Sequence, residues 1–332
     1  MLAIEVGPVD VAHTRYAISP LGEAMNALRV ASGKQPAGAL RPWADRIAPR
    51  YERLLRETPA VEALTALFRH GGYNADFVHP PPSGPDADFA GELAAVRATP
   101  PHQVRAEIAR NLAGMRTPPR RVQRILDAPD VRTRLADAVE ATWYALVGPD
   151  WPRLRTVLER DLVHRAGHLA MYGWAAALSD LDPRVAWRSE GAEGVIEVRT
   201  GSRTVWERHQ LGGRGLLLMP TVFGTLISYV DPPWPYALVY PARGVAALLG
   251  PPPAQGGAAA LARLVGPARA QVLRALAVPA TTTQLVRQLG LSLGAVGGHL
   301  AVLRASGLVT GTRTGRSVRY ERTALGETLA GD

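Results

Sequence analysis

The chain has 332 residues, of which 47% are hydrophobic and 20% charged, and its formal net charge is +9. These proportions exclude a disordered or fibrous protein, and the length predicts two or three units with cores of their own. The sequence contains no cysteine, which excludes disulfides, thiolate nucleophiles and thiolate metal ligands. No apolar run approaches the ~18 residues of a membrane span and no signal-peptide pattern occurs, so we expect a cytoplasmic protein without a membrane partner.

Residues 1 to about 182 have mainly helical patterns. A short strand is predicted at 2–6, and apolar residues then recur at helical spacing. The run FVHPPPSGPDAD at 77–88 predicts an exposed loop, because consecutive prolines fix φ and remove hydrogen-bond donors. Later helices are predicted to begin after Pro101, near Val131 and at Asp150.

Residues 185–245 consist of short β-rich runs, such as GVIEVRT and YALVY, separated by glycine, aspartate and proline. These runs predict an antiparallel sheet. The segment GPPPAQGG at 250–257 has no apolar periodicity and predicts a linker. We therefore expect an α+β protein. A helical region and an antiparallel β-sheet occupy 1–249, with a role in regulation or assembly, and a separate domain follows at 258–332.

The predicted C-terminal domain contains two helices joined by a tight turn. Thr281 is the expected N-cap of the first, and Gly290 its end, because threonine oxygen accepts from free helix N–H groups and glycine adopts the left-handed conformation. Ser292 is the expected N-cap of the second, at 292–306. Its predicted buried stripe is Val296, Leu300 and Leu303. A turn of about three residues between such helices is typical of a helix-turn-helix motif.

Positive charge is concentrated in this domain. From Gly257 onward, nine arginines stand against three acidic residues, which places +6 of the +9 there. Such a surface suits the phosphates of nucleic acid, although a merely solvated basic face has the same charge. The segment 308–322 predicts two strands around Thr314 and Gly315, and a basic hairpin in this place is a wing. It carries Arg313, Arg316, Arg319 and Arg322.

Eight positions in and after the second helix share a pattern with a known family. They are Ser292, Val296, His299, Leu300, Leu303, Gly307, Leu308 and Val309. With this pattern the domain resembles the winged helix-turn-helix regulators of the ArsR type. The resemblance implies binding of double-stranded DNA as a homodimer, with repression as the expected sign of regulation, and dimer contacts from 258–264 and 324–329. The N-terminal region resembles an uncharacterised actinobacterial group of such regulators, and a small-molecule effector is left open.

The outward positions of the second helix are predicted to face DNA. They are Leu293, Gly294, Gly297, Gly298 and His299, where the family usually has polar side chains. Glycines give bases no side-chain hydrogen bonds, so two explanations stay open. We favour close approach of the helix backbone, with readout of shape and phosphates, over a weakened DNA affinity. Phosphate contacts are predicted for Thr281, Thr283, Ser292, Arg304, Arg313, Arg316 and Arg319. As alternatives, His299 packs or caps without touching a base, and the arginines are solvated surface residues.

Three residues of the long helix have metal-ligand spacing. Asp161, His164 and His168 project to one side and could hold Zn²⁺ or Ni²⁺ with a further ligand. Apolar residues project to nearly the same side, so helix packing with partly buried histidines explains the pattern equally well. We expect no metal and no cofactor.

The remaining motifs give little support to catalysis. GGRG at 212–215 predicts a turn, since it is too short for a dinucleotide fingerprint, and no nucleophile elbow occurs. Tryptophans, which suit either a ligand pocket or a core, occur at Trp143, Trp151, Trp174, Trp187, Trp206 and Trp234. We expect no enzyme. The alternative is a small-molecule or metal-dependent enzyme in 1–245 with an accessory winged-helix dimerisation domain.

Overall fold

The computed structural model describes residues 1–69, 73–82, 84, 87–178, 181–190, 193–199, 207–245, 256–314 and 317–330. The chain forms two compact units, Met1–Val245 and Ala246–Asp332. The predicted α+β class, with a helix-turn-helix domain at the C-terminal end, is confirmed. The predicted linker at 250–257 lies mostly outside the described residues, so its character stays a prediction.

The first unit is mostly helical up to residue 178. Its helices are α1 (Pro8–His13), α2 (Pro20–Ala31), α3 (Arg41–Glu57), α4 (Ala60–Ala66), α5 (Phe89–Ala98), α6 (Pro101–Leu112), α7 (Arg120–Leu126), α8 (Val131–Thr142) and α9 (Trp151–Leu178). The predicted starts near Pro101, Val131 and Asp150 are confirmed. α9 is interrupted at Gly173, where φ is 76°.

Eight strands form two four-stranded sheets within the described part of this unit. They are β1 (Leu2–Val6), β2 (Arg15–Tyr16), β3 (Val185–Glu190), β4 (Glu193–Val198), β5 (Glu207–Gln210), β6 (Leu217–Thr221), β7 (Ile227–Tyr229) and β8 (Ala237–Pro241). One sheet has the order β3-β4-β1-β5 and the other the order β2-β6-β8-β7.

The strand pairing only partly matches the predicted antiparallel sheet. β3–β4, β1–β4 and β7–β8 are antiparallel, whereas β1–β5, β2–β6 and β6–β8 are parallel. β6 is buried at all five positions and β8 at four of five. Continuous apolar runs of this kind are typical of central strands covered on both faces, which favours parallel pairing. The parallel pair of the first sheet arises where β1 joins it from the start of the chain. In the second sheet β6 is parallel both to β2 and to β8.

Both sheets contribute to one hydrophobic core. Ile4 and Ile196 of the first sheet belong to the same cluster as Leu218 and Leu238 of the second, and Leu178 joins them from the end of α9. The alternate positions of the second sheet form a separate cluster on its other face. β6 is therefore sandwiched between two apolar layers, which fixes its register.

Buried polar groups lie beside α2. Val222 N–H donates to Glu23 Oε2 at 3.1 Å, and Leu21 N–H donates to Glu92 Oε2 at 2.8 Å. Burial raises the pKa of Glu23 from its ordinary value of 4.5 to about 8, and that of Glu92 to about 7. Burial, helped by the charge of Arg29, lowers the pKa of His79 to about 3. At neutral pH the folded protein therefore holds Glu23 in its protonated form.

Glu23 is expected to make the protein less stable as the pH rises. Its pKa is higher in the folded than in the unfolded chain, so the folded state holds an extra proton between pH 4.5 and about 8 and loses stability across that window. Glu23→Gln keeps a neutral hydrogen-bonding side chain. We expect it to reduce the stability loss between about pH 5 and about pH 9 by ~3 kcal/mol, measured by urea unfolding. His79 titrates alike in both proteins, so it does not affect the comparison. An equal loss of stability in both proteins would contradict the role of Glu23 in the pH dependence.

Candidate nucleic-acid interface

The second unit is a small helical domain with a three-stranded sheet. Its elements are α10 (Gly256–Val265), α11 (Pro267–Ala275), β9 (Ala280–Thr281), α12 (Thr282–Leu289), α13 (Leu293–Ala305), β10 (Val309–Thr314), β11 (Ser317–Arg322) and α14 (Ala324–Ala330). The predicted stripe of α13 is confirmed, since Val296, Leu300 and Leu303 are at most 1% exposed. They pack in one cluster with Leu273 of α11 and Leu285 of α12. The core therefore fixes which face of α13 points outward.

Local capping sets the angle between α12 and α13. Gln284 N–H donates to Thr281 Oγ1 (3.4 Å), and Thr281 N–H donates to Gln284 Oε1 (2.7 Å), which is a reciprocal capping box. Gly290 ends α12 with φ of 67°, and Ala295 N–H donates to Ser292 Oγ (3.2 Å). The two helices are bent by 116° across this turn, within the range of helix-turn-helix motifs. The predicted caps are confirmed.

Both capping hydroxyls keep a free donor function in this arrangement. The oxygens of Thr281 and Ser292 accept from helix N–H groups, while each hydroxyl also has one proton to donate. Ser292 is exposed and Thr281 half-buried. The starts of α12 and α13 thus offer hydroxyl donors together with the partial positive charge of helix N-termini, a combination that suits phosphate oxygens.

The outward face of α13 has no polar side chain in its first three turns apart from the flanking, half-buried His299. Leu293 is 60% exposed, and Gly294, Gly297 and Gly298 are also exposed. A methyl group at any of these glycines would meet no atom of the described chain within 4 Å. Internal packing therefore does not require glycine here. The surface is smooth, and its backbone is accessible.

The predicted wing is a regular hairpin next to α12. β10 and β11 pair antiparallel, with Thr312 opposite Arg319, and β11 also pairs with β9, which puts Arg319 opposite Thr281. Because directly paired residues share a face, the exposed Arg319 lies on the same side of the sheet as the cap of α12. Arg313 is exposed too, but its register position is on the opposite face. Arg316 lies outside the described residues.

Arg322 has a structural role that the sequence analysis missed. Its side chain is fully buried and donates from Nε to Leu273 O (2.7 Å) and from Nη2 to Arg274 O (2.7 Å), at the C-terminal end of α11. It also pairs with Glu327 of α14 at 3.1 Å. The sequence groups Arg322 with the wing arginines, whereas the structure uses it to hold the base of the wing. Its contacts with α11 and α14 distinguish it from the exposed Arg319, which lies on the other face of β11.

The other predicted contact residues are spread over the domain. Thr283 is exposed in the first turn of α12, close to the caps. Arg304 is exposed in the last turn of α13, ~18 Å along the helix axis from Ser292. The structure brings Thr281, Thr283 and Arg319 together, and it places Arg304 at the other end of the helix.

The suggested metal ligands of α9 have other roles in the structure. The buried Asp161 accepts from Arg165 Nε (3.2 Å) and from the backbone N–H of Arg243 (3.0 Å). The rings of His164 and His168 lie 4.3 Å apart, and His168 packs edge-on against Tyr172. Within the described ranges, no group of three or more His, Asp and Glu residues has an arrangement that could hold a metal ion. The predicted alternative of helix packing accounts for these side chains.

These elements define a helix-turn-helix protein, and the comparison with known families agrees. Residues 264–312 match a family model described as a helix-turn-helix domain, which covers α11 to α13 and extends into β10. The match supports a DNA-binding transcription regulator in general terms. Residues 101–246 match a family of unknown function, DUF5937. No curated protein and no solved structure matches the chain.

No single helix that the structure describes is long and apolar enough to cross a bilayer. α12 and α13 pass the same test of length and composition only when they are taken together across their 116° bend.

Proposed function

We propose that the chain is a cytoplasmic, non-catalytic transcription regulator of the ArsR type that binds operator DNA and represses transcription. One observation carries the proposal. The capped start of α12 and the exposed Arg319 of the wing share one side of the domain, next to a helix whose outer face is free. An exposed helix braced by another at 116° suits the major groove, and a basic hairpin beside it suits the phosphate backbone.

The proposed contacts divide into two kinds. α13, within the recognition segment 292–306, lies against base edges through its backbone, since its glycines let the helix approach closely. The cap hydroxyls and the wing segment 308–322 bind phosphates, which position the domain without reading sequence. Specificity then depends mainly on groove shape and on His299 at the flank of α13.

We also propose that the regulator is a homodimer. α10 and α14 pack against each other, and each exposes a leucine, Leu264 at 68% and Leu325 at 54%. Exposed leucines on the first and last helices of a domain favour a partner surface, and a second copy would bury them. Two copies also present two recognition helices, as a palindromic operator requires.

Salt dependence is the direct test of DNA binding. If two protomers place Arg304 and the three predicted wing contacts on phosphates, affinity for a selected operator falls on the order of 10,000-fold between about 50 and about 200 mM salt. Fluorescence anisotropy with DNA fragments selected by the purified protein measures this slope. Absence of binding at low salt would contradict the proposal, and turnover of a substrate by the unit 1–245 would favour the enzyme alternative.

Alanine substitutions separate the two explanations of the glycine-rich face. Gly297→Ala with Gly298→Ala is expected to stabilise the domain by about 2 kcal/mol, because alanine favours helix and a methyl group meets nothing there. If the backbone approaches DNA closely, the same variant binds the operator at least about tenfold more weakly. Thermal unfolding and anisotropy measure the two effects.

Gly167→Ala in α9 is the matched control. This glycine is also helical and has no neighbour within 4 Å of an added methyl group, and it lies in the other unit. It should raise stability without changing DNA affinity. Unchanged operator affinity in the Gly297/Gly298 variant would instead support the other explanation, in which the glycines weaken DNA affinity.

A further inference from the structure

A cleft in the first unit has the composition of a ligand site. It has a volume of about 380 Å³, which lies within the usual range for small-molecule sites. β2, the GGRG turn, the start of β6 and the loop 230–236 line it. Of the tryptophans weighed as pocket residues from the sequence, Trp234 lies in this cleft.

The lining combines an apolar surface with positive charge. Leu216, Leu217 and Val230 are joined by the rings of Trp234 and Tyr236. The basic side chains are Arg15, Arg214 and His13, and none of the lining residues is acidic. Two guanidinium groups without a carboxylate in the same cleft favour an anion, and the flat rings favour a flat apolar body.

Hydrogen bonds hold the wall of the cleft in place. Gly213 N–H (2.7 Å) and Gly215 N–H (3.2 Å) both donate to Asp10 Oδ1 of α1, and the His13 ring donates from Nδ1 to Gly213 O (2.7 Å). Gly215 has φ of 71°, and a methyl group on it would collide with the backbone of His13 at 2.4 Å. The GGRG segment is thus a turn, as predicted, and it lies close against the end of α1.

Hydrogen bonds and a ring contact also hold the side chain of Arg214 in position. Its Nε donates to Leu211 O (2.8 Å) and its Nη2 to Gln210 O (3.1 Å). Its guanidinium lies 4.6 Å from the centre of the Tyr236 ring. These contacts leave Nη1 for a ligand. A guanidinium already held in position loses little entropy on binding, which increases affinity.

The indole of Trp234 has an unsatisfied donor. Its Nε1 is buried and has no hydrogen-bond partner among the described residues. A buried donor without an acceptor costs about 1–3 kcal/mol, so native structures normally satisfy it. Because this N–H has almost no accessible surface, Trp234 contributes its ring rather than a donor to the lining of the cleft.

We propose that this cleft binds a small organic carboxylate with a flat apolar body, such as an aromatic acid. Arg15 and Arg214 hold the carboxylate, and Trp234 and Tyr236 contact the ring. Binding of the acid stands on the geometry of the cleft alone. Its use as an effector that changes DNA affinity rests on the proposed function.

Calorimetric titration of the full chain with 2-naphthoate tests the site. The neutral 2-naphthamide, which has a similar shape, is the comparison ligand. We expect the acid to bind at least about tenfold more tightly than the amide, and Arg15→Gln to remove this preference. Arg15 has an exposed side chain, so this exchange leaves the fold intact. Arg124→Gln, an exposed arginine of α7, is the control and should change nothing.

Three results would overturn the site: no binding of 2-naphthoate, equal binding of acid and amide, or an unchanged preference in Arg15→Gln. If inorganic phosphate binds the cleft as tightly as 2-naphthoate does, the proposed contact of the ring with Trp234 and Tyr236 is wrong. A second titration measures operator affinity with and without bound 2-naphthoate. A change in operator affinity supports the effector role, and an unchanged affinity contradicts it. Failure to bind DNA at all would contradict the proposed function but not the binding of the acid.

Discussion

Reversing the charge of the wing is expected to abolish DNA binding while the domain stays folded. Arg313 and Arg319 are exposed on opposite faces of the hairpin, and Arg316 belongs to the same segment by sequence. Arg→Glu at all three replaces attraction to phosphates by repulsion, so operator affinity should fall on the order of 1,000-fold or more. Anisotropy at low salt measures the loss, and circular dichroism checks the fold.

A variant of equal net charge controls for long-range electrostatics. Arg116, Arg120 and Arg124 are exposed residues of the first unit, and reversing them changes the total charge by the same amount. The control should retain most of the affinity, since screened charges act over only about 10 Å. If both variants lose affinity equally, general charge rather than the wing accounts for binding. Unchanged affinity in the wing variant would refute the wing assignment.

Removing Asp161 is expected to destabilise the first unit strongly. The side chains of Asp161 and Arg165 are 0% and 1% exposed, and Asp161 also accepts from the backbone of Arg243 next to β8. Asp161→Ala leaves the guanidinium of Arg165 buried without its counter-charge, which costs about 3–5 kcal/mol. Urea unfolding measures this loss.

The same helix supplies a matched control. Arg155 and Glu159 have the same spacing in α9 but are 61% and 51% exposed, so Glu159→Ala should change stability by less than about 0.5 kcal/mol. A comparable loss in both variants would contradict the view that burial makes the Asp161 pair important. Tight binding of Zn²⁺ that depends on Asp161 would show that the packing interpretation is wrong.

Local signals predicted the helix-turn-helix motif accurately. Thr281, Gly290 and Ser292 act on groups within three or four residues of themselves, so their effect can be inferred from a short stretch of chain. The buried stripe of α13 follows from helical period in the same way. The helix-turn-helix motif and the buried stripe of α13 are therefore determined by nearby sequence.

Features that depend on distant residues could not be predicted. Asp161 meets Arg243 across 82 positions, and β1 and β2 join strands that lie about 200 residues further along. Arg319 and Arg322 are the same residue type three positions apart, yet one is exposed and the other anchors the hairpin. The period of two in β11 places Arg322 on the same face as Val318 and Tyr320, and Arg319 on the other. The carbonyl groups of α11 that Arg322 meets become apparent only in three dimensions.

The glycines of α13 also make the domain a promising starting point for redesign. No described atom lies within 4 Å of an added Cβ at Gly294, Gly297 or Gly298, so longer side chains can be introduced there without disturbing the core. Asparagine or glutamine would supply the donor and acceptor that complement N7 and N6 of adenine in the major groove, and arginine would supply two donors for O6 and N7 of guanine. New operator preferences could then be installed at three positions, with stability rising as glycine is removed.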